Sequence, residues 1–127
     1  MIVETEREVA RRQVAERMFP GQLVTVVLRE LTYDDGRTHM ITRVSTWKEV
    51  TEEICQLTKV WRPKLREIQR LERLRGPRLV VGDEAMVIAV LLKVEREPKK
   101  FRPWALLLTA TGELGWCYTL DGFQLGG

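Results

Sequence analysis

Residues able to do acid–base or nucleophilic chemistry are few and scattered in this chain. It holds one histidine, His39, and two cysteines, Cys55 and Cys117, 62 positions apart. A histidine works as a general base only with a nucleophile or carboxylate in hydrogen-bond reach. His39 falls in a strand-like run. Asp34-Asp35 beside Gly36 reads as turn chemistry, and Asp83-Glu84 after Gly82 reads the same way. A pair of carboxylates is a sparse ligand set for a cation. No glycine-rich phosphate loop, His-Glu-x-x-His or Cys-x-x-Cys pattern occurs. The expectation is a protein without catalytic residues, metal or cofactor. An enzyme centred on His39 with nearby carboxylates is the lesser alternative. The cysteines form neither a metal motif nor a disulfide framework. They are expected as buried free thiols in a reducing, cytoplasmic setting, although a pairing depends on geometry.

Charge is more informative than chemistry. The 127 residues carry 21 lysines and arginines against 18 aspartates and glutamates, a formal charge of +3. By segment the balance is uneven. Arg62, Lys64, Arg66, Arg70, Arg73, Arg75 and Arg78 are opposed only by Glu67 and Glu72. Arg96, Lys99, Lys100 and Arg102 are opposed by Glu97 alone, so the rest of the chain is acidic. On a helix, Arg62, Arg66, Arg70 and Arg73 share one face. Such a face could meet phosphate backbones or an acidic protein. It is equally what a solvated helix face looks like, with arginine stems covering apolar neighbours. Phe101 and Trp104 flank the second basic run, the arrangement used to stack single-stranded bases; Trp104 also reads as the start of a core strand.

The elements that must position these residues follow from periodicity. Apolar residues make up 44% of the chain, too many for general disorder. No run is long enough to span a membrane as a helix, and the start, MIVETEREVARR, lacks the apolar core of a secretion signal. Thr5 and Glu8 have capping-box spacing, predicting a helix over 5–18 with a thin stripe of Ala10, Val14 and Met18 and with Arg11 on the wet side. Pro20-Gly21 stops it. The β-branched run Leu23–Leu31, the Asp34-Asp35-Gly36 turn and Thr38–Val44 predict a β-hairpin. Thr46 and Glu49 again have capping-box spacing. Trp47, Val50, Ile54, Leu57 and Trp61 then follow at steps of 3 and 4, a helical seam. The pattern resumes at Leu65, Ile68, Leu71 and Leu74. Pro63 interrupts it, so either one kinked helix or two helices meet near Arg62-Pro63. Gly76-Pro77 ends the segment.

From residue 79 onward short strands dominate: Leu79–Val81, Ala85–Val94, Trp104–Ala110 and Leu114–Leu120. Gly82-Asp83-Glu84-Ala85-Met86-Val87-Ile88, then Trp104-Ala105-Leu106-Leu107-Leu108, then Thr111-Gly112-Glu113-Leu114-Gly115-Trp116 carry a resemblance. Together they resemble an SH3-like small β-barrel of bacterial or phage type, over about residues 79–125. The resemblance implies a glycine-rich hairpin after the central strand and a short turn, Thr119–Phe123, into a last strand. The acidic-aromatic first loop of the peptide-binding relatives is missing, so proline-rich peptide recognition does not follow.

The expected fold is therefore α+β. An N-terminal helix, a β-hairpin and a long interrupted amphipathic helix lead into a C-terminal SH3-like small β-barrel. The chain reads as one compact unit, 1–127, with a helix-hairpin-helix part at 1–76 and the barrel part at 77–127. The function expected is a non-enzymatic interaction or adaptor protein docking on a larger protein assembly. The alternative is a nucleic-acid-binding protein using the basic 62–78 helix face and the 96–102 loop. Expected partner-binding residues are Trp47, Trp61, Arg62, Arg66, Arg70, Arg73, Lys99, Lys100 and Arg102. A homo-oligomer through the 47–61 seam is a further expectation, since exposed tryptophans anchor interfaces.

Overall fold

The β-branched run after Pro20-Gly21 does not form one long strand. In the computed structural model, which describes residues 6–32, 36–57, 64–92 and 103–126, it splits in two. β1 (Leu23–Val26) alternates exposed and buried positions, whereas β2 (Arg29–Thr32) leaves for a separate ladder. The break falls at Val27-Leu28, where two consecutive apolar residues end the alternation. The Val27 N–H donates to the Gly122 carbonyl at 3.0 Å, one position beyond the last β1–β9 pair, Val26 with Phe123. β2 pairs with β3 (Thr38–Ile41), so a hairpin exists, but it is shorter than expected and β1 is not part of it.

The described residues form a mixed α+β protein of three helices and nine strands. The remaining elements are α1 (Glu6–Arg17), β4 (Arg43–Val44), α2 (Glu52–Leu57), α3 (Leu65–Leu74), β5 (Leu79–Val80), β6 (Glu84–Leu91), β7 (Trp104–Thr109), β8 (Leu114–Cys117) and β9 (Phe123–Leu125). A short 3-10 turn at Leu120–Gly122 joins β8 to β9, so the run read as a strand through Leu120 stops at Cys117. Five strands form one antiparallel sheet in the order β8-β7-β6-β1-β9, and β4 pairs with β5. The sheet takes β1 from before residue 77 and its other four strands from after it.

Side chains alternate across a strand, so the sheet has two faces. Val24, Val26, Ala85, Val87, Ala105, Leu107, Cys117 and Phe123 point to the inner one. They pack with Val44, Leu79, Leu120, Ala15 of α1 and Met18 just after it. β6 stays apolar on both faces because of an irregularity between Val87 and Ala89. One extra residue there shifts the phase, so Val87 and Val90 both reach the inner core while Leu91 reaches the outer face. Gly112, at φ +83°, permits the tight turn between β7 and β8. There Glu113 accepts the Thr109 N–H through its backbone carbonyl at 2.9 Å.

The long helix starts later than its seam implies. Residues 47–50 are not helical. Thr46 is not a cap: its hydroxyl donates to the Pro77 carbonyl at 2.6 Å and its own carbonyl accepts the Gly76 N–H at 2.9 Å. Thr51 is the cap, its Oγ1 accepting the Ile54 N–H at 3.2 Å. Trp47 instead makes backbone bridges to Trp116 and to Arg75. Lys64, before α3, is extended at φ −68° and ψ 157°. Two helices, not one kinked helix, therefore lie either side of Pro63, which itself lies outside the described residues. Glu67 accepts the Lys64 N–H at 2.7 Å and holds the start of α3. No helix of the described residues is long and apolar enough to cross a membrane.

Candidate interaction face on the outer side of the sheet

Half of the sheet's outer face is covered by the α2–α3 segment. Trp104, Leu91, Trp116 and Tyr118 form its sheet side. Trp47, Val50, Ile54, Cys55, Leu71 and Leu74 close over them. Trp47 is 7% exposed, and its backbone exchanges hydrogen bonds with Trp116 at 2.7 and 2.8 Å. Trp47, Val50 and Ile54 of the 47–61 seam thus pack inward on the sheet rather than forming a free stripe.

Among the described residues no element covers the other half of the same face. The strand register places Leu23 opposite Met86, Met86 opposite Leu108, and Leu108 opposite Leu114. One row of four large apolar side chains therefore crosses β1, β6, β7 and β8. Leu23 is 57% exposed and Leu114 54%, with Met86 and Leu108 half-buried between them. Ile88 and Leu106 lie beside the row, Ile88 also exposed. Large apolar residues aligned on a solvent-facing sheet surface differ from scattered surface leucines, which need no explanation. Sequence reasoning found each strand but missed this row. Its signal was present in the unbroken apolar runs of β6 and β7, which a sheet wet on one face would not need.

One carboxylate stands on the row's face. Glu84 is on the same outer side as Met86, one pleat along β6, whereas Glu113 falls opposite Thr109 on the inner side, its Oε2 accepting the Thr111 hydroxyl at 3.2 Å; both are exposed. With Asp83 and Arg78 they line a cleft of about 250 Å³ that also takes Leu79 and Thr109 of the inner side, three acids to one base. Asp83 is partly committed, since its Oδ2 accepts the Val80 N–H at 2.8 Å.

The basic face anticipated on α3 is present only in part. Arg66, Arg70 and Arg73 are all exposed on α3. Arg70 meets Glu53 of α2 at 3.4 Å, and Arg75 meets Glu72 at 3.2 Å while lying 5.5 Å from the Trp47 ring centroid. Trp61, Arg62, Lys99, Lys100 and Arg102 lie outside the described residues, as do Asp34 and Asp35. His39 pairs with Leu31 in the β2–β3 ladder. No three His, Cys, Asp or Glu side chains converge as a metal site among the described residues. Both cysteines are free and buried, in different apolar clusters. Burial pushes the Cys117 thiol up to about 12.

One buried charge cluster went unread in the sequence. Asp121, 2% exposed in the 3-10 turn, accepts from Arg7 Nε at 3.0 Å and from Arg11 Nε at 3.2 Å. Arg11, placed on the wet side of α1 by its pattern, is 8% exposed. Its guanidinium lies 4.2 Å from the Tyr118 ring centroid, and Tyr118 packs 5.2 Å from Trp104. Burial alone would raise the Asp121 pKa, but the Arg7 hydrogen bond and the charges of Arg11 and Arg7 outweigh it, so the carboxyl is held below its ordinary range. The helical spacing of Arg7 and Arg11 was the one local signal. Their partner is 110 and 114 positions away. The cluster ties α1 to the end of the sheet and leaves the outer row untouched.

No protein-family model matches this chain, and comparison with curated proteins and with solved structures finds no match either.

Proposed function

We propose that this protein is a non-enzymatic interaction module that docks on another protein through the uncovered outer face of its sheet. The observation that carries this reading is the in-register row Leu23–Met86–Leu108–Leu114. An apolar row left in water costs free energy that burial against a partner would recover, at roughly 25 cal/mol per Å². The sheet is read as an SH3-like small barrel whose β1–β6 connection is enlarged by the hairpin and by α2 and α3. The tight β7–β8 turn and the 3-10 turn before β9 support that reading. An adaptor on a larger assembly, in the cytoplasm, is the setting it fits.

A photo-crosslinking amino acid placed at position 23 or 114 in cells that make the protein tests this. Discrete adducts at 23 and 114, absent from a control at Gln124 on edge strand β9, are expected. Adducts confined to positions 66 and 73 of α3 would count against it.

A second reading, nucleic-acid binding, draws on the exposure of Arg66, Arg70 and Arg73. It predicts affinity falling steeply with salt and lost on reversing those three arginines to glutamate. The carboxylates of Glu53, Glu67 and Glu72 interleaved with that face weaken it.

A further inference from the structure

We infer that α2 and α3 form a lid that opens as one unit from the outer face of the sheet while the rest of the protein stays folded. The opening needs no partner, so it stands or falls separately from the docking role.

Connectivity comes first. The chain enters and leaves the lid through one narrow neck. Trp47 bridges Arg75 in antiparallel fashion. The Lys48 N–H donates to the Leu74 carbonyl at 2.8 Å, and the Gly76 N–H donates to the Thr46 carbonyl at 2.9 Å. The neck in turn is fastened to the edge of β8, where Trp47 and Trp116 exchange backbone hydrogen bonds. Both helices lie between those paired ends, so they can lift without unpairing the neck. Bonds inside the lid travel with it. Arg70 of α3 meets Glu53 of α2 at 3.4 Å, Thr51 caps α2, and Glu67 holds the start of α3.

Two separate cores come second. The lid's Ile54, Cys55, Leu71 and Leu74 pack in the outer cluster, on Trp104 and Trp116. Among the described residues, α2 and α3 contribute nothing to the inner cluster, which α1 and the strands fill. Parting the outer cluster therefore leaves the inner core buried and the five-stranded ladder intact. Proteins open sub-globally along boundaries of this kind.

The closed lid also carries a standing cost. Trp104 is fully buried beneath it, and among the described residues its Nε1–H has no acceptor. A buried donor left unbonded opposes closure, and it regains water when the lid lifts. Helices of six and ten residues do not persist alone in water. Their amides therefore lose protection when contact with the sheet is lost.

The two buried thiols report which part opens. Cys55 belongs to the lid and its cluster, whereas Cys117 lies in the inner core. The full chain is treated with iodoacetamide over a urea series below its unfolding transition, and each site is quantified by peptide mass spectrometry. Cys55 should be alkylated at least about tenfold faster than Cys117. Its rate should also rise less with urea, because lifting the lid exposes less surface than global unfolding. Val87→Ala weakens the inner core alone; it should speed Cys117 by about tenfold or more and leave Cys55 unchanged. Native-state hydrogen exchange of the unsubstituted chain is the second measurement. The amides of α2 and α3 should show a smaller urea dependence than those of β6 and β7. Equal alkylation rates with equal urea dependence, or Val87→Ala speeding both thiols alike, overturns the inference. So does a common urea dependence for the amides of α2, α3, β6 and β7, even if Cys55 reacts first or Val87→Ala does not fold.

Discussion

Thr46 packs so closely on Gly115 that position 115 has no room for a side chain. A Cβ added at Gly115 would overlap Thr46 Oγ1 and come within 2.6 Å of Thr46 Cβ. Gly76 faces the same hydroxyl from the other side, where an added Cβ would lie 2.6 Å away. The segment between β4 and α2 is thus clamped between β8 and the end of α3, which is what brings Trp47 over Trp116. Gly115→Ala should therefore destabilise by about 1–3 kcal/mol through overpacking, read as a lower midpoint in urea. Thr46→Val, which keeps the shape but orphans the Pro77 carbonyl, should lose a similar amount.

The Arg7–Asp121–Arg11 cluster predicts acid sensitivity. The folded-state pKa of Asp121 is depressed relative to an unfolded aspartate at about 3.9. Its stabilisation is present above that value and is lost as pH falls through the folded pKa. Unfolding free energy measured from pH 6 down to pH 2 should drop steeply below about pH 4, and Asp121→Asn should flatten that limb. Removing one partner of a buried pair costs about 3–5 kcal/mol. Arg11→Met should approach this, because the Arg11–Asp121 side chains are only 10% and 3% exposed. Arg7→Met should cost less, since Arg7 is 35% exposed and screened by water.

Thr51, not Thr46, begins the helix that follows the hairpin. Thr51→Ala should cost about 1 kcal/mol and loosen the amides of α2, visible as faster hydrogen exchange from Ile54 onward. Thr46 substitutions should leave the start of α2 in place while destabilising the whole molecule.

Cys55 and Cys117 are 1% and 0% exposed, and only a thiolate attacks a disulfide reagent. Both thiols should react at the rate of opening, accelerated by denaturant. The raised folded pKa of Cys117, about 12 against about 8.5 for a free thiol, adds a second effect. Its contribution is fully present below the unfolded value and is lost as pH rises through the folded one. Cys117→Ala should remove that part of the alkaline decline.

Leu23→Lys and Leu114→Lys should change stability by less than about 0.5 kcal/mol, as surface substitutions do. Leu107→Ala, on the opposite face of β7 and fully buried, should cost about 2–5 kcal/mol. The contrast, measured by thermal melts, checks which face of the sheet is the core.

Local physics made much of this protein readable. The apolar runs Ala85–Val87 and Trp104–Leu108, the Gly112 turn and the stop at Gly76-Pro77 all act within a few positions, and each lies where its residues imply. The aromatic seam also marked residues that pack together, although Trp47 reaches the cluster from an extended segment rather than a helix turn. What depended on closure of the chain was different. Val24 and Val26 have two strand-like neighbourhoods available, and they join β6 and β9 because the inner core buries them there more completely than the hairpin could. Arg11 is buried because Asp121 arrives from the far end of the chain, and Thr46 is denied its capping role because Pro77 takes its hydroxyl. The exposure of the Leu23–Leu114 row is of the same kind. Periodicity marks a side chain as apolar, but whether water or a helix covers it is decided by where α2 and α3 come to rest, and they stop at Trp116.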